Sequence, residues 1–470
     1  SRATAGVVIV TTKSGATLEQ QEADKVSISY DGYYGVSKIA RMPDYMNASQ
    51  FAQFRFLNFL TSGGQVAGSL ASVAQPQWRM GGEYDQCMIV EQDGVSAMKK
   101  MMASGETYNW PDLVTQDGQK QNHYISVNGS SKTTNYHFGV GYNREEGVYK
   151  NDLQNRYNLK GSLDTKINKY LTAGFSLNLA YTENEYSSDD AIAIAYRQVP
   201  FARPYDADGN MIVTPGNCYD VGSAGWNFTN TVNPLIMLKD DSKKSQNFRM
   251  LGNVYLQIKP VSWLSFKTTF SPNYVNMRTG EYVAASANRT EEKGTHEEYT
   301  RKDWTWDNQV DFNKTFGDHT LGAMALFSMN STDRMYSQIG RSTTEEGSMM
   351  SGTDWYYLYA GTLDKENTGT SYWETKMISY ALRLNYSYKG RYMFTGTVRT
   401  DGSSKFLKDK RWGWFPSAAV AWRISEESFL KNVSWIDNLK LRLSYGVTGN
   451  NTVAKNYNTV GVTSPNSYAF

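Results

Sequence analysis

Residues 136–143 read YHFGVGYN, a stretch in which ring-bearing or branched apolar side chains alternate with polar or small ones. Successive side chains of a β-strand point to opposite sides of the sheet. The two faces would then hold, respectively, Tyr136, Phe138, Val140 and Tyr142, and His137, Gly139, Gly141 and Asn143. Strands of about ten residues with this pattern are typical of a wall between lipid and a polar interior.

The alternation recurs along the chain and predicts about 13 strands. The clearest segments are residues 25–37, 171–181, 247–259, 304–312, 321–329, 378–388, 392–398, 418–424 and 439–447. Tight turns are predicted near residue 130 and at 168–169, 259–260, 317–318 and 389–390, where Gly, Pro, Asn and Asp suit reversals. Long connections are predicted at 38–120, 183–246, 272–302 and 331–375.

This alternation of short and long connections predicts the fold class. Outer-membrane barrels have short periplasmic turns and long extracellular loops, whereas a soluble sandwich has no reason to keep every second loop long. The sequence therefore predicts an all-β fold, an antiparallel transmembrane β-barrel with its long loops outside the cell. Tyr388 and Tyr392, which flank one tight turn, are expected at the membrane interface.

Composition agrees with such a wall. The 470 residues have a mean hydropathy of −0.56 and contain 14% aromatic residues, which fits strands that expose only alternate residues to lipid. No apolar run approaches the length of about 18 residues that a membrane helix needs. The net charge of +2 argues against a nucleic-acid partner. Cys87 and Cys218 would either pair in an oxidising compartment or act as small buried hydrophobes.

Several blocks resemble one family, the SusC/RagA-type TonB-dependent transporters of Gram-negative outer membranes. SRATAGVVIVTTKSG at 1–15 is similar to the end of the family's plug domain, and KVSISYDGYYGVSK at 25–38 to its first barrel strand. Residues 109–152 are similar throughout. Further similar blocks are RTDGSSKF at 399–406, RWGWFPSAAVAWRISEESFL at 411–430 and WIDNLKLRLSYGVTGNN at 435–451.

The resemblance implies a domain organisation and a function. Residues 1–15 would close a plug, 16–24 would form a linker, and 25–470 would supply about 13 of the roughly 22 strands of such a barrel. The family imports glycans or peptides with a SusD-like surface lipoprotein, energised by TonB. A chain that begins at Ser1 without Met, lacks a TonB box and most of a plug, and has an odd strand count is expected to be a fragment that transports nothing alone.

Other functions stay open as alternatives. A siderophore-type TonB receptor and a passive porin or adhesin barrel share the predicted wall, and a secreted carbohydrate-binding sandwich would share the aromatic content. No catalytic, dinucleotide or metal motif is present, so the protein is not expected to be an enzyme, and no cofactor or metal is expected. The expected partners are the lipoprotein, TonB, an oligosaccharide or peptide, and outer-membrane lipid.

Aromatic side chains in the predicted extracellular loops are candidate contacts for cargo or for the lipoprotein, because flat rings stack on sugars and anchor interfaces. They are Trp110, Trp226, Trp355, Tyr356, Tyr357 and Tyr359. The alternative is that they only pack loops over the barrel mouth. Arg399 and Asp401 would either line the lumen and touch plug or substrate, or hold a rim turn by a salt bridge.

The run YDADGN at 205–210 has oxygen-bearing side chains at alternate positions, as in a calcium loop. It lacks the acidic positions that would complete such a loop. Asp-Gly is also a frequent turn, so an ordinary turn is expected here and no metal is assigned.

Overall fold

The computed structural model describes residues 25–51, 106–215, 232–287, 289–344, 358, 361–430 and 435–450. In this part of the chain the architecture is all-β, with 13 antiparallel strands in a single sheet. The strands pair in sequence order, so every neighbour in the sheet is also the neighbour along the chain. The proposed end of a plug at 1–15 and the linker at 16–24 lie outside the described residues.

The strands differ greatly in length. They are β1 Lys25–Ser37, β2 Gly118–Ser130, β3 Thr134–Glu146, β4 Leu153–Lys166, β5 Leu171–Glu185, β6 Ser242–Val261, β7 Leu264–Val283, β8 Glu292–Phe316, β9 His319–Thr343, β10 Thr362–Tyr388, β11 Tyr392–Ser403, β12 Trp412–Arg423 and β13 Lys440–Gly446. β7 to β10 have 20 to 27 residues, more than the 9–11 or so that cross a bilayer when tilted. These four strands therefore continue well beyond any membrane core.

Three short helices lie at the long-loop end of the sheet: α1 Trp110–Val114, α2 Asp189–Ala195 and α3 Pro234–Asp240. Ser188 begins α2 by accepting the amide of Ala191, and Asn233 begins α3 by accepting the amide of Leu235. These side chains satisfy amides that a helix start leaves unpaired. Among the described residues, no helix is long and apolar enough to cross a membrane.

The sheet has one apolar face and one polar face, as the alternation predicts. The ladders align exposed apolar side chains on one face: Ile28, Ile125, Val140, Phe175, Val254, Phe270, Val310, Leu382, Val398, Val420 and Leu443. The opposite face carries Ser126, His137, Ser162, Ser176, Asn253, Ser271, Asp311, Ser328, Ser379 and Arg399. Val254 is 55% exposed whereas Ser379 is 1% exposed. The wall is thus apolar outside and polar inside.

Most predicted strands are confirmed, and residues 25–37 match β1 at both ends. The predicted turn at 259–260 is wrong, because the strand continues to Val261 and the turn is Ser262 and Trp263. Lys259 and Pro260 instead lie where the register shifts, so that both oppose Ser265. Such a bulge accommodates a proline, which has no amide hydrogen for the ladder.

Two of the four predicted long loops are also wrong in their extent. Residues 272–302 and 331–375 are mostly strand, and the connections are only 284–291 and 344–361. The paired segment EKGTHEEYTRKD at 292–303 is polar on both faces. Alternation marks a strand only where one face meets an apolar phase, so a hairpin that is solvated on both sides has the composition of a loop.

Candidate functional site

The polar face curves around a cavity of about 810 Å³ near the long-loop end of β6 to β12. Each of these seven strands contributes lining residues, which shows that the polar face is the concave one. We call this region the polar basin and define it by Asn273, Arg301, Asp303, Asn330, Arg334, Trp373, Asp401, Lys405, Lys410 and Arg411.

Asp303 is the centre of the polar contacts on one side of the basin. The Nδ2 atom of Asn273 donates to its Oδ2 at 2.8 Å, and Arg301 Nε lies 2.6 Å from the same oxygen, an ion pair without hydrogen-bond geometry. One strand further, the amide of Asn330 donates to Thr305 Oγ1 at 3.1 Å. These side chains come from adjacent strands at the same height, because the register of β7, β8 and β9 aligns them.

Arg399 and Asp401 lie within β11, not in a turn beyond it, since that strand continues to Ser403. Arg399 Nε donates to both carboxylate oxygens of Asp401, at 2.8 and 2.9 Å. Its Nη2 donates to Ser379 Oγ on the neighbouring strand at 3.1 Å. Both side chains are therefore on the polar face and are largely buried, and Asp401 lines the basin.

The far side of the basin combines cations with aromatic rings. The Arg334 guanidinium lies 4.2 Å from the centroid of the Trp373 ring, within the range of a cation–π contact. Lys405, Lys410 and Arg411 belong to the connection between β11 and β12. The basin thus presents an aromatic ring, guanidinium groups and side-chain amides to a polar ligand.

At the long-loop end of the wall, the three helices and the segment 196–204 form a second structure, which we call the loop cluster. Its buried apolar residues are Trp110, Val114, Ala191, Ala195, Val199, Phe201, Ala202, Leu235, Ile236, Met237 and Leu238. Trp110 is fully buried, and its Nε1 donates to the Val199 carbonyl at 3.2 Å. The structure places this tryptophan in loop packing and leaves no ring surface open to a ligand.

Polar side chains hold the loop cluster together by bonding to main-chain carbonyls. Asn233 Nδ2 donates to the carbonyls of Pro204 and Ile212, at 2.8 and 3.0 Å. Gln198 Nε2 donates to the Val232 carbonyl at 2.6 Å. These bonds join residues 198–212 to residues 232–233, and the bond from Trp110 to the Val199 carbonyl joins α1 to them. The loop cluster is therefore a folded cap and not a set of separate loops.

Charged side chains at the edge of the cap are also paired. Arg203 donates from Nε and Nη2 to the two carboxylate oxygens of Glu106, at 2.7 and 2.9 Å. These hydrogen bonds, with one from the Tyr108 hydroxyl, hold the pKa of Glu106 below its usual value of 4.5. Tyr45 donates its hydroxyl to the Gln198 carbonyl, and burial raises the pKa of this phenol.

The remaining predicted aromatic contacts, Trp226, Trp355, Tyr356, Tyr357 and Tyr359, lie outside the described residues, as do Cys87 and Cys218. The segment 205–210 is a turn: Asp206 Oδ1 accepts the amides of Asp208 and Asn210, and Gly209 has φ +85°. These bonds lower the pKa of Asp206, and the carboxylate is occupied by its own turn.

The chain is similar to curated receptors over nearly its whole length. TonB-dependent receptor P39 of Formosa agariphila is 26% identical over 463 residues, covering 96% of this chain and 39% of the receptor. TonB-dependent receptor SusC of Bacteroides thetaiotaomicron is 26% identical over 493 residues, covering 97% of this chain and 42% of SusC. The chain is homologous to TonB-dependent receptors, SusC among them. It spans about two fifths of the length of these relatives.

The fold agrees with this homology. The RagAB peptide importer in its closed-closed state superposes with a TM-score of 0.74 at 20% identity, over 97% of this chain and 50% of the importer chain. The sheet therefore has the fold of part of a TonB-dependent barrel. No family model matches the chain. The homologues are receptors and importers by name.

The sequence indicated Asp401 of the polar basin and Arg399 beside it, but not the other residues of the basin. Arg301, Arg334 and Trp373 lie in segments that the sequence assigns to loops, and Asp303 lies between a predicted loop and a predicted strand. Their common face was therefore not visible. One signal was available: the alternating residues Arg301, Asp303 and Thr305 continue the polar face of the predicted strand at 304–312.

Proposed function

We propose that this chain forms barrel wall, polar basin and cap in an outer-membrane importer of glycans or peptides. The observation that carries the proposal is the wall itself, which exposes branched and aromatic side chains on its convex face and buries serines on its concave face. Such a surface is unfavourable in water but matches lipid outside and a polar passage inside. Homology to SusC supports import rather than passive diffusion.

The whole protein would work through TonB and a SusD-like surface lipoprotein, as the family resemblance implies. Residues 1–15 would end the plug, and 16–24 would lead into the wall. Cargo would be an oligosaccharide or a peptide; the SusC homology favours the first and the likeness to a peptide importer is compatible with the second. The cap at the long-loop end would face the outside of the cell, where the lipoprotein would sit.

Uptake by the source bacterium tests the proposal. Deletion of the gene should abolish accumulation of a labelled oligosaccharide or peptide, and a protonophore or loss of TonB should have the same effect on the parent strain. The protein should fractionate with the outer membrane and co-purify with one lipoprotein. Uptake that survives loss of TonB would indicate a passive barrel, and accumulation of a ferric siderophore alone would indicate the siderophore-type alternative.

Aromatic residues of the long connections are proposed to contact the cargo or the lipoprotein. The candidates are Trp226, Trp355, Tyr356, Tyr357 and Tyr359. Replacing Trp355 and Tyr357 together by alanine should weaken cargo or lipoprotein binding, because each lost ring removes a large contact surface. Replacing Trp435, which is exposed at the opposite end of the sheet, by alanine is the matched control. Equal binding by all variants would assign the aromatic run to loop packing.

A further inference from the structure

The short-turn end of the wall has an excess of positive charge. We define the short-turn rim as residues 131–133, 166–170, 259–263, 314–320 and 388–392. These five described segments hold seven basic residues: Lys132, Lys166, Lys169, Lys259, Lys314, Lys389 and Arg391. Within the same five segments Asp318 is the single carboxylate, whereas the described part of the remaining connection at this end, 424–439, adds Glu426, Glu427 and Asp437.

The opposite end of the wall does not share this excess of positive charge. The described connection at 186–215, for example, carries Asp189, Asp190, Asp206 and Asp208 against Arg197 and Arg203. The excess of cations is therefore a property of one end, although the chain as a whole has a net charge of only +2. A one-sided charge calls for an anionic partner on that side.

Three rim lysines lie over aromatic rings. The Lys169 Nζ is 4.7 Å from the centroid of the Tyr170 ring, and the Lys389 Nζ is 5.4 Å from that of Tyr388. The Lys314 Nζ lies near two rings, at 5.0 Å from the centroid of Trp263 and 5.1 Å from that of Phe316. A ring on one side holds the ammonium in place and leaves its other side open to an anion.

The rim cations differ in whether a carboxylate already neutralises them. Lys389 lies 3.4 Å from Asp318, and Arg391 lies 3.2 Å from Glu427. Lys169 and Lys314 have no carboxylate within 4 Å in the described part of the chain. Within the described residues, the charges of these two lysines are therefore not neutralised by a nearby carboxylate.

The rim is continuous with the apolar face. Tyr388, Tyr392 and Trp422 form a stacked row, with centroid distances of 6.5 Å at each step. Phe316 and Tyr392 remain nearly half exposed beside the rim lysines. The rim cations thus lie directly below an apolar surface. A phospholipid has its phosphate and its acyl chains in the same order, so the phosphate would meet the cations and the acyl chains would meet the apolar surface.

We propose that the short-turn rim binds the phosphates of anionic glycerophospholipids at two separate positions, Lys169 and Lys314, with the apolar face holding the acyl chains. The inference rests on the proposed placement of the wall in the outer membrane. Because the short turns of such barrels face the periplasm, the lipid belongs to the inner leaflet.

The test compares two lysines on one strand and one face. Lys314 and Lys302 both belong to β8 and both point to the apolar face, but Lys302 lies toward the long-loop end, paired in the ladder with Asp333. The full-length protein and the K169Q/K314Q and K302Q variants are placed in nanodiscs of phosphatidylethanolamine with or without phosphatidylglycerol. Native mass spectrometry then counts the phosphatidylglycerol molecules that each protein retains after release into detergent.

The unaltered protein should retain phosphatidylglycerol in preference to phosphatidylethanolamine. K169Q/K314Q should lower that retention by about fivefold, because each of the two positions loses one lysine, and K302Q should leave it unchanged. Equal retention of both lipids by the unaltered protein, or an equal loss in K302Q, would overturn the inference. A protein that does not enter nanodiscs at all would instead contradict the proposed membrane placement.

Discussion

The loop cluster and the strand wall distribute their apolar side chains in opposite ways. In the loop cluster Trp110 and Val199 are fully buried, as in the core of a water-soluble domain. In the wall Val254 and Leu443 are exposed, whereas Ser328 and Ser379 are buried. Each arrangement lowers the free energy only in its own solvent, water for the cluster and lipid for the wall. One chain thus shows, by burial alone, where the solvent changes.

The largest expected effect is loss of the anchor of the loop cluster. Trp110→Ala should destabilise the cluster by about 3–5 kcal/mol, because it removes a fully buried ring and leaves a cavity. Trp110→Phe keeps most of the ring but loses the bond to the Val199 carbonyl, so it should cost less. Hydrogen exchange should accelerate in α2 and α3 but not in β2 to β5. Unchanged exchange in α2 and α3 would show that the cluster does not depend on this core.

A charge on the apolar face should have the next largest effect. Val254→Arg should destabilise the membrane-inserted protein by about 2–4 kcal/mol if the side chain lies near the middle of the bilayer. Val213→Arg is the matched control, since Val213 is comparably exposed but lies in the loop region, and its cost should stay within about 0.5 kcal/mol. Urea unfolding in lipid vesicles measures both. Equal losses of unfolding free energy in the two variants would mean that Val254 and Val213 are exposed to the same solvent.

The polar face should be sensitive to a smaller degree. Arg399→Ala should cost about 1–3 kcal/mol, because Asp401 loses the guanidinium that donates to both of its oxygens. Arg399→Ala combined with Asp401→Ala should cost less than the two single changes together. Additive costs in the same unfolding measurement would show that the pair does not interact energetically.

The smallest expected effect is a pH dependence at the edge of the cap. Glu106 has a lowered pKa when folded, so its contribution to stability is present above its unfolded pKa and is lost as the pH falls through the folded value. Hydrogen exchange in residues 106–114 should therefore increase only as the pH falls below about 4.5. In the Glu106→Gln variant, hydrogen exchange in residues 106–114 should be faster at neutral pH and should lack this pH dependence. If the variant keeps the pH profile of the parent protein, the pH dependence of exchange belongs to another group.

The sequence alone predicts the strands of the wall wherever one of their faces is apolar. β1 was predicted at both ends, and β5, β6 and β11 were located by alternation, because lipid on one side imposes a period of two. The extensions of β7 to β10 escaped prediction since Thr295 and Glu297 on one face and His296 and Glu298 on the other are all polar. Only the hydrogen-bond ladder, which leaves no trace in composition, makes that segment a strand.

The candidate site was predictable to a lesser extent. Arg399 and Asp401 follow an alternating strand, so their face could be counted. Trp110 was noticed as an aromatic residue, but its burial depends on α2, α3 and the segment around Val199, roughly 90 residues away in the chain. Packing between distant loops has no local period, and for this reason a buried anchor and an exposed contact have the same sequence signature.

The central claim is that the two faces of the wall meet different solvents, and β5 tests it most directly. Single cysteines at residues 175–180, in a variant without Cys87 and Cys218, are labelled with a nitroxide in lipid vesicles. Accessibility to oxygen and to a water-soluble nickel reagent is then measured at each position. The labels at 175, 177 and 179 should be reached by oxygen and protected from nickel, and those at 176, 178 and 180 should not share that protection. Uniform access of nickel to all six positions would contradict the claim.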